Sequence, residues 1–219
     1  MRTYKYDWGN FLFVRFLFVS WTLQAIHVLD SSERRFRIII ELIPNALMLL
    51  LLILGVIPAW LFFLFLVLLH TFFWLFDSTW LVGWRQVDKN FKGKGICSII
   101  NFVDWAKKEL SSCDNITAIT IYGSICRHKY HDRSDFDFRI VQDKGRFKTY
   151  FKMIKLRIVA IWKYKIPIDL KLVDSVDFLK SEMREDEHPI VPFNKYPPFY
   201  NEGDTYEDLK KNPSAYLKA

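Results

Sequence analysis

Three aspartates stand out in the sequence as groups that could do chemistry together. Asp135 and Asp137 are two residues apart, and in an extended strand that spacing turns both carboxylates to the same face. Asp169 lies inside another apolar run. Carboxylates that converge repel one another without a cation, and hard oxygen ligands of this kind suit Mg²⁺. Two such ions about 4 Å apart can stabilise the attacking and leaving oxygens of an in-line displacement at phosphorus.

A turn and a cation accompany the carboxylates. Gly123 and Ser124 follow an apolar, β-branched run, where backbone N–H groups and a hydroxyl can hold an anion such as a triphosphate tail. Lys171 shares a strand face with Asp169, so it either neutralises the carboxylates or contacts the acceptor, the group that attacks the phosphorus. The sequence alone does not choose between these two roles for the lysine.

The elements that must position these groups are those of an α/β (α+β) domain with a small mixed sheet flanked by helices. Apolar residues at helical spacing predict helices over 99–110, 147–162 and 175–183, and alternating or β-branched runs predict strands over 117–122, 136–141 and 168–173. Ser175 is the expected cap of the last helix. All three carboxylates then fall at or just before the start of a strand.

An uncharged stretch precedes this domain. Residues 42–76 contain no Asp, Glu, Lys or Arg, which is too long for one upright membrane span and close to the length of two. Gly55 and Pro58 lie in the middle, where a tight turn is expected. The sequence therefore predicts a transmembrane helical hairpin with spans at 38–56 and 58–76; a buried hairpin in a soluble protein is the alternative.

The charges around the hairpin predict its orientation. Basic residues flank both ends and the central turn has none; they are Arg34, Arg35, Arg37, Arg85, Lys89, Lys92 and Lys94. Because basic flanks favour the cytoplasmic side, both ends and the α/β domain are expected to be cytoplasmic, in a multi-pass protein of the cell membrane. Glu41 and His70 are the ionisable groups of the hairpin, with either a functional role or bonds to a neighbouring helix or to headgroups.

The N-terminal residues are less regular. Residues 11–29 are apolar apart from Arg15, and we expect them to lie in the membrane interface or against the hairpin, with a third span left open. The expected division of the chain is an N-terminal segment, the hairpin, the α/β domain and a Pro- and Tyr-rich extension, at 1–36, 37–87, 88–186 and 187–219.

Charge and cysteine usage limit the environment. Lys and Arg total 31 against 24 Asp and Glu, a net charge of +7, and residues 144–165 carry only basic charges. This basic helix is either a solvated face or a contact with anionic headgroups, and the membrane anchor and acidic C-terminal part argue against nucleic acid as the partner. Three cysteines without a CxxC pair exclude a disulfide scaffold and favour a reducing compartment.

The residues around the turn resemble a known signature. Gly123, Ser124 and Arg127 are followed after a short spacer by Ser134, Asp135 and Asp137, which looks like the signature of the nucleotidyltransferase-fold (DNA polymerase β-like) superfamily, in its minimal form. Asp169 stands where that family has its third carboxylate. Two positions depart from the pattern, since Cys126 replaces the usual Ala and His128 replaces a second Gly.

The resemblance implies an activity and a role for each matched residue. It implies transfer of a nucleoside monophosphate from an NTP to a hydroxyl or phosphate, with release of pyrophosphate. Asp135 and Asp137 would bind the metal ions, and Asp169 would bind the catalytic ion and help to deprotonate the acceptor. Ser124 and Arg127 would hold the β- and γ-phosphates.

Together these features predict a membrane-anchored, Mg²⁺-dependent nucleotidyltransferase. Two Mg²⁺ ions are expected, with Mn²⁺ as an alternative, and the anchor indicates a membrane lipid or lipid-linked acceptor, or a small molecule. Two other functions remain open: a nucleotide-binding regulator that transfers nothing, and an enzyme that modifies a protein. The base of the nucleotide and the oligomeric state are not determined, and a homo-oligomer is open.

Overall fold

The fold combines an N-terminal pair of apolar helices with a small α/β domain. The computed structural model describes residues 18, 20–24, 29–76, 80, 92–145, 147–184, 186–195 and 203–218. Most of the predicted segment 11–29 and the basic residues Arg85, Lys89 and Arg146 lie outside these described residues.

The two apolar helices form a hairpin. Helix α1 spans Ser31–Ile53 and helix α2 spans Ala59–Phe76. Gly55 ends α1 with φ +70°, and the N–H of Val56 donates to the carbonyl of Leu51 at 2.9 Å, a Schellman-type cap that reverses the chain. The turn at Gly55 is thus where the sequence predicts it, but α1 begins at 31, earlier than the predicted 38.

The hairpin exposes its apolar surface. Both helices are long and apolar enough to cross a membrane by length and composition, with mean hydropathies of 2.1 and 2.2. None of the side chains of α2 is buried in the protein. A core helix of a soluble protein would bury most of this surface, so the exposure favours the membrane hairpin over the buried alternative.

The ionisable groups of the hairpin contact each other. Nδ1 of His70 on α2 contacts Oε1 of Glu41 on α1, and its Nε2 lies 2.8 Å from the carbonyl oxygen of Trp21. The amide of Gln24 donates to the carbonyl of His70 at 2.7 Å, and Arg37 donates to the Gln24 side chain at 2.6 Å. These polar groups therefore join the two helices to residues 20–24, as in the structural interpretation of Glu41 and His70.

The described part of the α/β domain contains four strands and four further α-helices. The strands are β1 (Ile116–Tyr122), β2 (Phe136–Gln142), β3 (Ile168–Val173) and β4 (Ile190–Asn194), and the helices are α3 (Ile96–Leu110), α4 (Phe147–Trp162), α5 (Val176–Glu182) and α6 (Tyr206–Lys211). A 3₁₀-helix, Pro213–Tyr216, follows. The strand order is β3-β2-β1-β4, with β2 and β3 parallel and the other pairs antiparallel. This confirms the predicted small mixed sheet flanked by helices.

The two faces of the sheet have different partners. On one face, the sheet packs against α3 and α4 through fully buried side chains such as Phe102, Phe138 and Leu156. On the other face, Leu179 of α5 packs with Ala118 and Val173. The alternation of side chains along β2 and β3 turns the predicted site residues toward this second face.

Strand β4 comes from the segment that the sequence assigns to a C-terminal extension. It pairs antiparallel with β1, with Phe193 opposite Ile119, and completes one edge of the sheet. Pro192 lies inside β4, which an edge strand tolerates because only one of its sides is hydrogen-bonded. The segment after residue 187 thus adds a strand to the α/β domain.

The hairpin is joined to the sheet by buried carboxylates at the start of α1. Oε1 of Glu33 lies 2.5 Å from Nη2 of Arg157 on α4, and Oε2 accepts the N–H of Leu172 on β3 at 3.0 Å. Oδ2 of Asp30 accepts the N–H of Asp174 at 2.7 Å. Because β3 is an edge strand, these carboxylates satisfy N–H groups that no neighbouring strand reaches.

Candidate active site

The predicted carboxylates meet at the start of the two parallel strands. Asp137 and Asp169 are the second residues of β2 and β3 and are direct partners in the register. Neighbouring strands lie about 4.8 Å apart, so the two side chains are adjacent on the α5 side of the sheet. Asp135 lies just before β2. The structure therefore brings the three predicted carboxylates to one end of the sheet.

Two neighbouring clefts open beside these carboxylates. The outer cleft is lined by Ser124, Arg127, Lys129, His131, Ser134, Asp135 and Lys218. The inner cleft is lined by Tyr122, Gly123, Asp137, Arg139, Leu179, Met183 and Glu187. The outer cleft is rich in cations and hydroxyls, as a site for phosphate groups must be, and the inner cleft holds the buried carboxylate.

An arginine that sequence reasoning missed lies between two of the carboxylates. Nη2 of Arg139 is 2.9 Å from Oδ2 of Asp169 and 3.4 Å from Oδ1 of Asp137, and Nη1 donates to the main-chain carbonyl of Asp169 at 2.5 Å. The guanidinium is buried. Strand alternation could have revealed this residue, because 135, 137 and 139 share one face of β2.

The pKa values of Asp137 and Asp169 are shifted in opposite directions. Burial raises the pKa of Asp137 to about 8, and the negative charge of Asp135 adds to the increase. Burial also acts to raise the pKa of Asp169, but the positive charges of Arg139 and Lys171 outweigh it and hold that pKa below the usual range. Asp169 is therefore the better paired carboxylate, and Asp137 lacks sufficient positive charge.

The absence of a side chain at Gly123 leaves room for the carboxylate of Asp137. A Cβ at this position would lie 2.0 Å from Oδ2 of Asp137, and the glycine has φ +76°. Only a residue without a side chain fits both the backbone conformation and the close approach of the carboxylate. The turn after β1 must therefore lack a side chain at position 123 for the carboxylate of Asp137 in β2 to lie where it does.

Replacing Gly123 with Ala is expected to destabilise the protein and displace Asp137. The left-handed backbone alone costs about 1–2 kcal/mol for a residue with a side chain, and the contact with the carboxylate adds to this. Gly55→Ala is the control, since Gly55 has φ +70° at the end of α1 with nothing within 4 Å of a Cβ. Thermal unfolding should show the larger loss for Gly123→Ala; equal losses would contradict the steric role of Asp137.

The other predicted site residues differ in their contacts. Oγ of Ser124 is buried and has no hydrogen-bond partner among the described residues, so it is free to donate to an anion. Oγ of Ser134, in contrast, accepts the N–H of His131 at 3.1 Å and holds the loop. Lys171 is buried, is the register partner of Arg139, and contributes charge near Asp169.

Arg127 is held within the protein. Its Nε donates to the carbonyl of Gly123 at 3.2 Å and lies 3.4 Å from Oε1 of Glu187. Glu187 is buried and follows α5, so it is a fourth carboxylate beside the site. No pattern in the sequence indicates it, because its loop has neither strand nor helix periodicity. The cation expected to hold phosphates is thus partly neutralised by a residue of the connection to β4.

The two departures from the family signature have structural explanations. His128 has φ +52°, the left-handed conformation that a glycine adopts readily at this position. Its ring stacks on Tyr216 at 4.5 Å and its Nε2 lies 2.8 Å from Oδ2 of Asp204. The imidazole therefore contacts the C-terminal segment, which also brings Lys218 to the outer cleft.

Cys126 is a packing residue with an inert thiol. Its Sγ donates to the carbonyl of Ile121 at 2.9 Å, and burial raises the pKa of this thiol to about 12. At about pH 8 we expect iodoacetamide to modify the exposed Cys97 and to leave Cys126 unmodified in the folded protein, because the thiolate is the reacting species. Mass spectrometry of the two peptides measures this, and equal modification would contradict the burial of Cys126.

The carboxylates suit a hard divalent cation by their chemical type. They are oxygen ligands at adjacent strand starts, beside a buried hydroxyl with no partner among the described residues. Within the described residues, no three His, Cys, Asp or Glu side chains converge as ligands of one ion. Arg139 occupies the space between Asp137 and Asp169, so a cation there would replace contacts that the guanidinium now makes.

The comparison with known families covers this region. Residues 106–191 match the family model for polymerase beta, nucleotidyltransferase. The matched segment runs from within α3 to the start of β4 and includes the whole inner cleft and all of the outer cleft except Lys218. No curated protein and no solved structure matches the chain.

Proposed function

Since residues 106–191 form a domain of the nucleotidyltransferase-fold superfamily, we propose that the protein is a membrane-anchored, Mg²⁺-dependent nucleotidyltransferase. It would transfer a nucleoside monophosphate from an NTP to a lipid-linked or small-molecule acceptor at the cytoplasmic face of the membrane. The observation that carries the proposal is the pairing of Asp137 with Asp169 beside Gly123 and the unpartnered hydroxyl of Ser124.

The residues that line the two clefts support the following reaction. An acceptor oxygen attacks the α-phosphorus, the bond from that phosphorus to the β-phosphate oxygen breaks, and the electron pair leaves with pyrophosphate. The hydroxyl of Ser124 would donate to the phosphate tail, and the cations of the outer cleft, Lys129 and Lys218 among them, would balance its charge. Asp169 would accept the proton of the acceptor.

The metal would be held by Asp135, Asp137 and Asp169, as two Mg²⁺ ions with Mn²⁺ as an alternative. When bound, the ions supply positive charge to the oxygens of the transferred phosphoryl group. Arg139 would keep the carboxylates in place between turnovers, since it contacts both Asp137 and Asp169. Lys171 would hold the pKa of Asp169 low.

The membrane location is supported by the exposed hairpin. An apolar surface as large as that of α1 and α2 is costly to leave in water. The basic residues at the start of α1 favour a cytoplasmic domain. An enzyme held at the bilayer gains access to amphiphilic acceptors, which is why we propose a membrane lipid or a lipid-linked molecule as the acceptor.

Only part of the basic helix is available to headgroups. Arg157 is buried against Glu33, and Lys152 and Lys155 both contact Glu109, at 3.0 and 2.8 Å. This corrects the expectation that the whole segment 144–165 offers its charges outward. The exposed lysines of the segment are Lys144, Lys148, Lys155, Lys163 and Lys165. Lys155 shares its charge with Glu109, and each of the other four would contribute about 1 kcal/mol near anionic lipid.

The test is a transfer assay with the full chain in nanodiscs. Each α-labelled NTP is incubated with Mg²⁺ and a membrane lipid extract, and the organic phase, the polypeptide and released pyrophosphate are measured. Label in the organic phase with equal pyrophosphate supports the proposal. Label on a polypeptide would instead show a protein-modifying enzyme, and nucleotide binding without pyrophosphate release would contradict transfer.

One observation favours a second function, a nucleotide-binding regulator that transfers nothing. Arg139 already bridges Asp137 and Asp169, and Glu187 already engages Arg127. Both contacts satisfy site residues from within the protein. In the transfer assay, a regulator would bind an NTP with ordinary affinity and release no pyrophosphate with any acceptor.

A further inference from the structure

Helix α4 has an apolar face that the described residues of the protein leave largely exposed. Counted from Phe147, the apolar side chains recur at helical spacing on its outer side: Phe147, Phe151, Ile154, Ile158 and Trp162, here called the outer stripe. Phe147, Phe151 and Trp162 are 64, 56 and 66% exposed, and both isoleucines are partly exposed. The helix buries a different face in the core, with Met153 and Leu156.

This stripe departs from the pattern of a water-soluble helix. An α/β domain normally turns one apolar face of a helix toward the sheet and a polar face toward water. On α4 the outward face is aromatic, and the exposed Lys148 and Lys155 lie along one side of it. Aromatic and aliphatic residues bordered by lysines are the composition of helices that lie in a membrane interface.

The stripe continues the surface of the hairpin. The ring of Phe36, near the start of α1, lies 5.6 Å from that of Phe147 and 6.0 Å from that of Phe151. Ile154 shares the lining of a cavity with Phe73 and Phe76 at the end of α2. The stripe therefore begins at the level where both helices of the hairpin have their cytoplasmic ends.

The attachment of the hairpin to α4 fixes this arrangement. Glu33 binds Arg157 of α4 and the edge of β3, and Phe36 stacks on Tyr150 of α4 at 4.2 Å. These contacts are buried, so α4 cannot turn its outer stripe away from the plane set by the hairpin without breaking them. The bilayer is the partner that this geometry brings to the stripe.

We infer that α4 lies in the cytoplasmic interface of the bilayer, with the outer stripe inserted at the boundary between headgroups and acyl chains. The exposed lysines then meet anionic headgroups. This inference rests on the membrane anchor of the proposed function and adds a second contact area to it. An interfacial helix of this kind inserts about 5–10 Å into the headgroup and acyl boundary.

The test measures the depth of single residues in the full chain. On a Cys97→Ser background, Phe151→Cys, Leu64→Cys and Asp177→Cys are each labelled with an environment-sensitive fluorophore. The proteins are placed in nanodiscs of phosphatidylcholine and phosphatidylglycerol with plain or brominated acyl chains. Leu64 is an exposed residue in the middle of α2, and Asp177 is exposed on α5, on the other face of the sheet.

We expect brominated chains to quench the labels at 64 and 151 by about twofold or more and to leave the label at 177 unchanged. Quenching at 64 without quenching at 151 overturns the inference while the anchor stands. No quenching at 64 overturns the anchor of the proposed function itself. A disulfide between two copies of the unlabelled Phe151→Cys variant, with no quenching of the label at 151, would show a second copy on the stripe and would also overturn the inference.

Discussion

Replacing Asp137 with Asn is expected to lower the rate of nucleotidyl transfer by about 10³-fold, because a metal-binding carboxylate contributes several kcal/mol of charge stabilisation and each 1.36 kcal/mol is a factor of ten. The amide keeps the size of the side chain, so the contact with Gly123 is preserved. Pyrophosphate release from an α-labelled NTP under single-turnover conditions measures the effect.

Two further measurements separate this loss from damage to the fold. The unfolding temperature of Asp137→Asn without metal should not fall, since burial already raises the pKa of Asp137 to about 8 and a neutral side chain suits the site. Asp132→Asn, an exposed carboxylate of the neighbouring loop, should retain wild-type transfer. Transfer by Asp137→Asn within tenfold of wild type would contradict a catalytic role for this residue.

Replacing Glu33 with Ala is expected to destabilise the protein by about 3–5 kcal/mol, because it removes the carboxylate that balances the charge of the buried Arg157 guanidinium. The N–H of Leu172 also loses its acceptor. For a chain of this size, that loss corresponds to a fall in the unfolding temperature of roughly 6–20 °C. Thermal unfolding of the full chain in detergent or nanodiscs measures it.

The control for Glu33 is an ion pair near the surface. Glu109→Ala removes contacts with Lys152 and Lys155, whose side chains are 24 and 53% exposed, and should cost less than about 1 kcal/mol. A double variant, Glu33→Ala with Arg157→Met, should lose less than the sum of the two single losses, since no unpaired charge is left in the interior. Additive losses would contradict the buried pair.

The helices and strands of the site could be predicted closely, because the apolar residues in each segment recur at either helical or strand spacing and not at both. The helix over 147–162 and the strand over 168–173 have the predicted bounds. Asp137 and Asp169 are each the second residue of their predicted strand, and in the structure they are direct partners across β2 and β3. The turn at Gly55 follows from a glycine within an apolar run, where a left-handed residue can end a helix.

The predicted start of α1 is wrong. The sequence prediction treats the arginines before residue 38 as a flank outside the helix. The arginines between 34 and 37 do mark the end of the apolar run, yet the helix continues through them to Ser31, capped by Asp30. The additional N-terminal residues of α1 include Glu33, which contacts β3 and Arg157. A contact between distant parts of the chain leaves no local pattern.

The contacts within the site were the least predictable part. The sequence indicates the carboxylates but not the arginine between them. The expected Mg²⁺ already balances the negative charge of the carboxylates, so the sequence gives no reason to look for a cationic side chain there. Arg139 provides one from within the chain. Likewise, apolar residues at helical spacing predict the helix over 147–162, but the structure buries Tyr150 and exposes Phe147 and Phe151. Periodicity gives the helix but not which of two apolar sides meets the sheet.

The placement of α4 and the carboxylates on opposite faces of the sheet limits the acceptor. With α4 resting on the lipid, at least the thickness of one helix, about 10 Å, and the sheet itself stand between the bilayer and Asp137. A hydroxyl attached directly to a glycerol backbone stays too close to the surface to reach that height. In the arrangement that we infer for α4, the lipid-linked acceptor that we propose would therefore need a long headgroup, whose reactive end extends well into the aqueous phase while the tail remains in the leaflet.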